Sequence, residues 1–345
     1  MNDFIIPGKV NIICDGQFGS TGKGLIASYI SEHEHIDVSV GSLSPNAGHT
    51  FYINDKKYIS HLIPVSAVWN KHSTIFLSSD CVINTDLLFN EIKEFEIDTD
   101  RIVIHPRAAV VTETEDYIPN LVQIGSTKAG TGPARASKIL RQNCLAQNHP
   151  LLKPFVKDFD IKYYLIQGCN VLVETGQGLD LGLNHGFDYP HCTSRDILPS
   201  NILGELGVSP RYLGNVCMTL RTFPIRVGHP KDKDGNIIGN SGPFYPDSKE
   251  ISFEELGVKS ELTTVTKRIR RIATWSEKQF YNSLYKIEPT HIFLNFCNYL
   301  REEDLHHFSW CDKISQQLWC GYGPYNNDVI EYYPKMLHSL LNIRN

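Results

Sequence analysis

Two residues define the chemistry open to this chain: Lys23, which closes a glycine-rich run, and His49, which ends a second short loop. Lys23 belongs to the stretch Cys14-Asp15-Gly16-Gln17-Phe18-Gly19-Ser20-Thr21-Gly22-Lys23-Gly24, between a β-like run at 9–13 and a helical pattern from Leu25. Glycines let backbone N–H groups close around phosphate oxygens, and the helix start adds a favourable dipole. The lysine brings positive charge to the terminal phosphates. The loop departs from the usual phosphate-loop pattern. Gly16 stands one residue too far from Gly22-Lys23, and Gly24 occupies the place of a magnesium-binding Ser or Thr. A glycine turn with a chance lysine is the competing reading.

His49 lies in Pro45-Asn46-Ala47-Gly48-His49-Thr50. A histidine in a glycine-containing loop can donate a hydrogen bond to a phosphate or leaving group, although a lone histidine is more often structural. Gly125-Ser126-Thr127-Lys128-Ala129-Gly130-Thr131-Gly132-Pro133 precedes a helix carrying Lys138 and Arg141. Hydroxyls before a helix start suit a phosphate monoester; a solvated loop with an ordinary cap is the alternative. Glu174-Thr175-Gly176-Gln177-Gly178 reads as a strand end opening into a tight turn, followed by Asn184-His185-Gly186 and Thr193-Ser194-Arg195. In Thr263-Thr264-Val265-Thr266-Lys267-Arg268-Ile269-Arg270-Arg271, arginines beside threonines can hold a dicarboxylate by bidentate pairing. Without further context such a charge run is a solvated helix face.

The elements that must position these groups are short β-branched runs at 10–14, 74–77, 101–104, 170–174, 215–220 and 291–296, separated by helical patterns. Continuous apolar strands of this kind suit an α/β fold: a mostly parallel central sheet with helices on both faces. Its functional loops belong at the strand ends. Residues 50–60 read as a hairpin turning at Asn54-Asp55, and residues 228–248 as a long surface excursion rich in Gly, Pro, Asp and Asn. With no repeat and no clear linker, residues 1–345 are expected to form one large domain with loop insertions.

Composition narrows the partners. The 345 residues are 41% hydrophobic and 21% charged, ordinary for a globular chain able to bury a large core. A net charge of -5 argues against coating nucleic acid, though not against a local phosphate pocket. The nine cysteines form no C-x-x-C pair or zinc spacing and read as reduced, mostly core-filling thiols. Neither a basic-then-apolar leader nor a bilayer-length apolar run stands out. A soluble cytoplasmic chain with no membrane partner is expected.

Together, and in order from Ile12 to about Pro324, these motifs resemble the adenylosuccinate synthetase family. Its members transfer the γ-phosphate of a nucleotide to the 6-oxygen of a purine monophosphate, which L-aspartate then displaces. The resemblance implies that Lys23 and the loop at Gly16, Gln17, Phe18, Gly19, Thr21, Gly22 and Gly24 hold the transferred phosphate, with Thr50 nearby. It implies that His49 stabilises charge on the phosphoryl oxygens and that the Gly48 carbonyl, with Ser20, helps bind Mg²⁺. Asn46 and Gln177 would line the purine pocket; Ser126, Thr127 and Thr193 would bind the monophosphate. Thr264, Val265, Thr266, Arg268 and Arg270 match the aspartate loop. Arg141 matches an arginine that reaches the neighbouring active site, implying a homodimer.

Two departures carry information. The family places its catalytic aspartate where this chain has Ser20. A serine is a poor base, yet it is smaller and uncharged, which leaves room for a 2-amino group and suggests guanine rather than hypoxanthine. At Asn295-Phe296-Cys297-Asn298, Phe296 and Asn298 replace the usual lysine and guanine-reading aspartate. The donor should therefore be ATP or dATP, its base also near Asn295, Gly323 and Pro324. Both departures resemble the bacteriophage branch, whose members make N6-succino-2-amino-2′-deoxyadenylate from dGMP, aspartate and ATP in the infected host. An ordinary synthetase acting on IMP and a non-catalytic nucleotide sensor are the rival readings.

Overall fold

Every residue of β1 (Val10–Asp15) is buried, because this strand runs through the middle of a nine-stranded sheet. Its side chains alternate between faces: Val10, Ile12 and Cys14 enter one apolar cluster and Ile13 the opposite one. Asn11 is tolerated between them because its amide donates to the carbonyl of Val171 at 3.1 Å and its oxygen accepts from the backbone of Ile6 and Asn215, each at 3.0 Å. The computed structural model describes residues 4–112, 123–142, 144–263 and 267–337.

The remaining strands are β2 (Val38–Ser42), β3 (His49–Ile53), β4 (Lys56–Ser60), β5 (Thr74–Leu77), β6 (Val82–Ile83), β7 (Ile102–Ile104), β8 (Ala109–Val110), β9 (Val171–Thr175), β10 (Leu213–Arg221), β11 (Ile225–Arg226), β12 (Glu250–Ile251), β13 (Arg271–Ala273), β14 (His291–Asn295), β15 (Gln317–Gly321) and β16 (Val329–Glu331). The large sheet runs β16-β15-β14-β10-β1-β9-β2-β5-β7, parallel throughout except for the β15–β16 edge. The six strand runs expected from the sequence all lie in it. β2 and β15, whose glycines and polar residues weaken the pattern, complete the middle and one side.

Helices cover both faces. α1 (Lys23–His33) buries Leu25, Ile26, Tyr29 and Ile30 on one side, while the helices Pro199–Glu205 and Glu277–Ile287 pack Ile202, Leu203, Phe280 and Ile287 on the other. β3 and β4 form the expected hairpin, turning on Asn54 (φ 48°) and Asp55 (φ 63°). Positive φ at both turn residues is the geometry that Asn and Asp tolerate. The 228–248 segment is only partly a surface excursion. Residues 231–238 are exposed, but Ser241 and Tyr245 are buried. Carbonyls at 241–243 accept from Arg226 and Arg271. No helix among the described residues is long and apolar enough to cross a membrane.

Strand order sets the position of the site. β1 lies between β9 and β10: the chain runs from β1 to β2, β5 and β7 on one side, returns to β9, and then crosses to β10, β14 and β15 on the other. The loops after β1, β2, β9, β10, β14 and β15 therefore all emerge at the carboxyl edge of the sheet, where open α/β sheets form their ligand crevice.

Candidate active site

Those loops enclose a cavity of about 1100 Å³. Its floor is the turn after β1, held from below by Asp15. One Asp15 oxygen accepts the backbone N–H of Gln17 (2.8 Å) and Gly19 (3.3 Å); the other accepts the Thr21 hydroxyl (2.5 Å) and Lys23 Nζ (3.1 Å). Lys23 also donates to the Gln177 carbonyl at 2.8 Å. Gly19 (φ 91°), Ser20 (φ 57°) and Gly22 (φ 92°) take left-handed backbone, which glycine adopts without a Cβ penalty. Phe18, Gly19, Ser20, Gly22, Lys23 and Gly24 line the cavity, with Ser20 exposed to it.

Gly16, Gln17 and Thr21 lie beneath this floor and do not line it. Gln17 brackets the Arg221 backbone, donating to its carbonyl (3.2 Å) and accepting from its N–H (3.0 Å). Thr21 shares a 2.6 Å hydrogen bond with Thr219. Gly24 is required for another reason: a Cβ there would overlap the backbone of His49 and Thr50, so α1 and β3 touch through it.

His49 is 5% exposed, with Nδ1 3.4 Å from a Glu174 carboxylate oxygen and Nε2 buried without a partner among the described residues. Glu174, at the end of β9, also accepts the N–H groups of Val65 (3.0 Å) and Ser66 (2.8 Å), capping α2 (Val65–Trp69). Asn46 and Gln177 both line the cavity and meet there. Gln177, in left-handed backbone (φ 73°), donates its amide to Asn46 Oδ1 at 2.9 Å, which also accepts from Ser44 at 2.8 Å. Gly48 and Thr50 line the same wall.

Ser126, Thr127 and Thr193 also line the cavity, as does the start of the helix Thr131–Ile139. A buried ion network fixes this corner. Asp80 pairs with Arg135 (2.8 Å) and Arg195 (2.9 Å), and Arg195 pairs with Glu205 (2.8 Å). Arg141, past the end of that helix, is exposed and lies outside this chain's own cavity.

Of the arginine-loop residues, Thr264, Val265 and Thr266 lie outside the described residues. The 267–271 run is no solvated helix: Arg271 begins β13, and Arg270 lines the cavity while Arg268 does not. Arg270 has no hydrogen-bonded side-chain partner among the described residues. Burial lowers its pKa to about 10, Glu261 countering the shift and Arg221 adding to it. On the other rim, Phe296, Asn298, Gly323 and Pro324 line the cavity. Asn295 reaches it too, but its amide donates to the Thr21 carbonyl at 2.7 Å and props the floor loop.

The sequence motifs missed several residues that build this site. Asp15 stands in the sequence only as a member of the glycine-rich stretch and Glu174 only as a strand end; their roles depend on partners elsewhere. Arg226 lines the cavity with its guanidinium 4.4 Å over the Phe18 ring. Glu261 is the one carboxylate among the described residues that lines the cavity. Burial raises its pKa, but pairing with Arg221 outweighs this and holds it below the ordinary value.

No group of three His, Cys, Asp or Glu side chains among the described residues could hold a metal ion. A cation here would draw ligands from carbonyls, hydroxyls and phosphate oxygens. That donor set fits Mg²⁺, which keeps few protein ligands beside nucleotide phosphates. Among the described residues neither His49 Nε2 nor the Arg270 guanidinium has a hydrogen-bonded partner, which suits an anionic ligand.

The adenylosuccinate synthetase family model matches residues 12–149. The chain is 34% identical to the N6-succino-2-amino-2′-deoxyadenylate synthase of Salmonella phage PMBT28, over 93% of this chain and 97% of that protein. It is 35% identical to the enzyme of the same name from Vibrio phage phiVC8, with the same coverages. Among solved structures, it resembles the cyanophage S-2L succinoaminodeoxyadenylate synthetase bound to dGMP and dATP as an energy donor. The TM-score is 0.85 at 30% identity, covering 97% of this chain and 99% of that one.

Proposed function

The chain belongs to the adenylosuccinate synthetase family, and on that premise we propose that it joins L-aspartate to dGMP at the expense of ATP or dATP. The product is N6-succino-2-amino-2′-deoxyadenylate, with ADP (or dADP) and phosphate. The observation that carries this reading is Ser20: a small neutral side chain of the Lys23 loop, exposed and lining the same cavity as the hydrogen-bonded Asn46–Gln177 pair. The names and the bound dGMP of the phage relatives support it.

In this reading the dGMP phosphate rests on Ser126, Thr127 and Thr193, with Arg141 of the partner subunit closing over it. Exposed Ile139 (74%) and Leu140 (63%) beside Arg141 support a dimer contact there. Guanine O6 attacks the γ-phosphorus, the N1 proton passes to water in the cavity, and the bond to the diphosphate leaving group breaks. Lys23 Nζ and His49 Nε2 neutralise the charge that develops on the transferred oxygens. The aspartate amine, its carboxylates held by Arg270 and Arg268, then attacks C6, and the C6–O bond breaks to release phosphate. Mg²⁺, held by phosphate oxygens with the Gly48 carbonyl and Ser20, would supply further charge neutralisation. Phe296 offers its ring to the donor base, and Asn298 lacks the anionic acceptor that guanine would require.

The test is phosphate release with ATP, Mg²⁺ and L-aspartate, comparing dGMP with IMP. Turnover with dGMP and little with IMP is expected. The reverse would make the chain an ordinary synthetase, and no turnover with either would favour a nucleotide sensor.

A further inference from the structure

Arg221, the last residue of β10, is fully buried and reaches three walls of the cavity at once. Its two terminal nitrogens grip Glu261 in a fork, at 2.6 and 3.2 Å. One of them also donates to the Ser20 carbonyl at 3.3 Å. Its guanidinium carbon lies 3.9 Å from the centroid of the Phe296 ring, a cation–π distance.

Each wall is one that needs holding. Phe296 sits in left-handed backbone (φ 62°), a conformation that a bulky side chain keeps only when its surroundings over-determine it. Thr222 donates to its carbonyl at 2.8 Å, and the Tyr299 ring meets its ring edge-on at 5.5 Å. Tyr299 in turn donates to Glu261 at 3.1 Å, closing a circuit of Arg221, Glu261, Tyr299 and Phe296. The Glu261 carbonyl accepts the Arg270 N–H at 2.9 Å. The segment presenting the Arg270 guanidinium is thus tied to the same circuit.

We infer that Arg221 is a positioning residue that couples the donor-base wall at Phe296 to the carboxylate-binding wall at Arg270. This rests on the proposal that Phe296 faces the donor base. A planar fork is what the arrangement requires: one side chain grips a carboxylate in its plane while its face packs on an aromatic ring. Lysine can supply the charge but neither the fork nor the stacking face. Binding of donor and of aspartate should therefore weaken together when the fork is lost. Binding of dGMP, whose phosphate is assigned to Ser126, Thr127 and Thr193 and which Arg221 reaches only through its single 3.3 Å bond to the Ser20 carbonyl, should change much less.

The experiment is a set of KM measurements for ATP, L-aspartate and dGMP in the wild type, Arg221→Lys and Phe296→Leu. Arg221→Lys should raise KM for ATP and for aspartate together, each about tenfold, with KM for dGMP within about twofold. Phe296→Leu should raise KM for ATP alone. A rise in only one of the two for Arg221→Lys, or equal rises for all three substrates, overturns the coupling. If Phe296→Leu leaves KM for ATP unchanged, the assignment of the donor-base wall fails instead. Glu261→Gln keeps the shape and removes the charge, and should show the same paired rise. It decides the question alone if Arg221→Lys does not fold.

Discussion

His49 and Glu174 stand 125 residues apart in sequence and 3.4 Å apart at the cavity wall. The carboxylate takes the Nδ1 side of the ring and leaves Nε2 buried, with no hydrogen-bond partner among the described residues. The same carboxylate caps α2 through two backbone N–H groups. A rigid element therefore fixes the ring against rotation.

Removing the ring should cost catalysis. We expect His49→Ala to lose on the order of 10²-fold or more in kcat with KM for dGMP little changed, because the imidazole acts on charge that develops in the transition state. Glu174→Gln should lower kcat less, while also reducing thermal stability by about 1 kcal/mol through the weakened cap. Steady-state kinetics and melting curves separate the two effects.

Asp15 should matter more for folding than its absence from the cavity lining suggests. Asp15→Asn keeps the size but leaves Lys23 without its buried counter-charge, and breaking one side of such a pair costs about 3–5 kcal/mol. Chemical denaturation should show that loss, and kcat should fall with it because Lys23 loses its fixed position.

Ser20→Asp tests the basis of substrate choice. The added carboxylate fills the space assigned to the 2-amino group and restores a base for the N1 proton. Phosphate release with IMP should rise while release with dGMP falls, by at least about tenfold in the ratio of kcat/KM. An unchanged ratio would remove Ser20 from the account of specificity.

Asp180 gives a pH prediction. It is buried beneath the floor loop, accepting from Tyr245 (2.8 Å) and Gln279 (2.6 Å), and burial raises its pKa from 3.8 to about 6 despite the Gln279 bond. Between about pH 4 and 6 the folded chain holds a proton that the unfolded chain has released. Its contribution to stability is therefore greatest below about pH 4, declines as pH rises, and levels off above about pH 6. Asp180→Asn cannot titrate, so the stability difference between the two proteins should change by about 3 kcal/mol across that window. Denaturation series at closely spaced pH values read this directly; a constant offset would count against it.

Sequence alone carried whatever depends on neighbours in the chain. The apolar runs around Ile12, Phe76 and Val173 read as buried parallel strands, and Asn54-Asp55 as a hairpin turn, because periodicity and turn preference act over a few residues. The glycines at 16–24 marked a tight loop at a strand end for the same reason, and Ser20, Phe296 and Asn298 stood out against a familiar motif. Tertiary structure decided what lies between distant segments. Placing β1 between β9 and β10 brings Lys23 to the Gln177 carbonyl, and Gln17 under the end of β10. It also decided that Arg221 would meet Glu261 and Phe296, though neither residue type nor spacing marked the three as related. Strand order is fixed by which buried faces and backbone hydrogen bonds can all be satisfied at once, and that is a property of the whole sheet rather than of any short stretch.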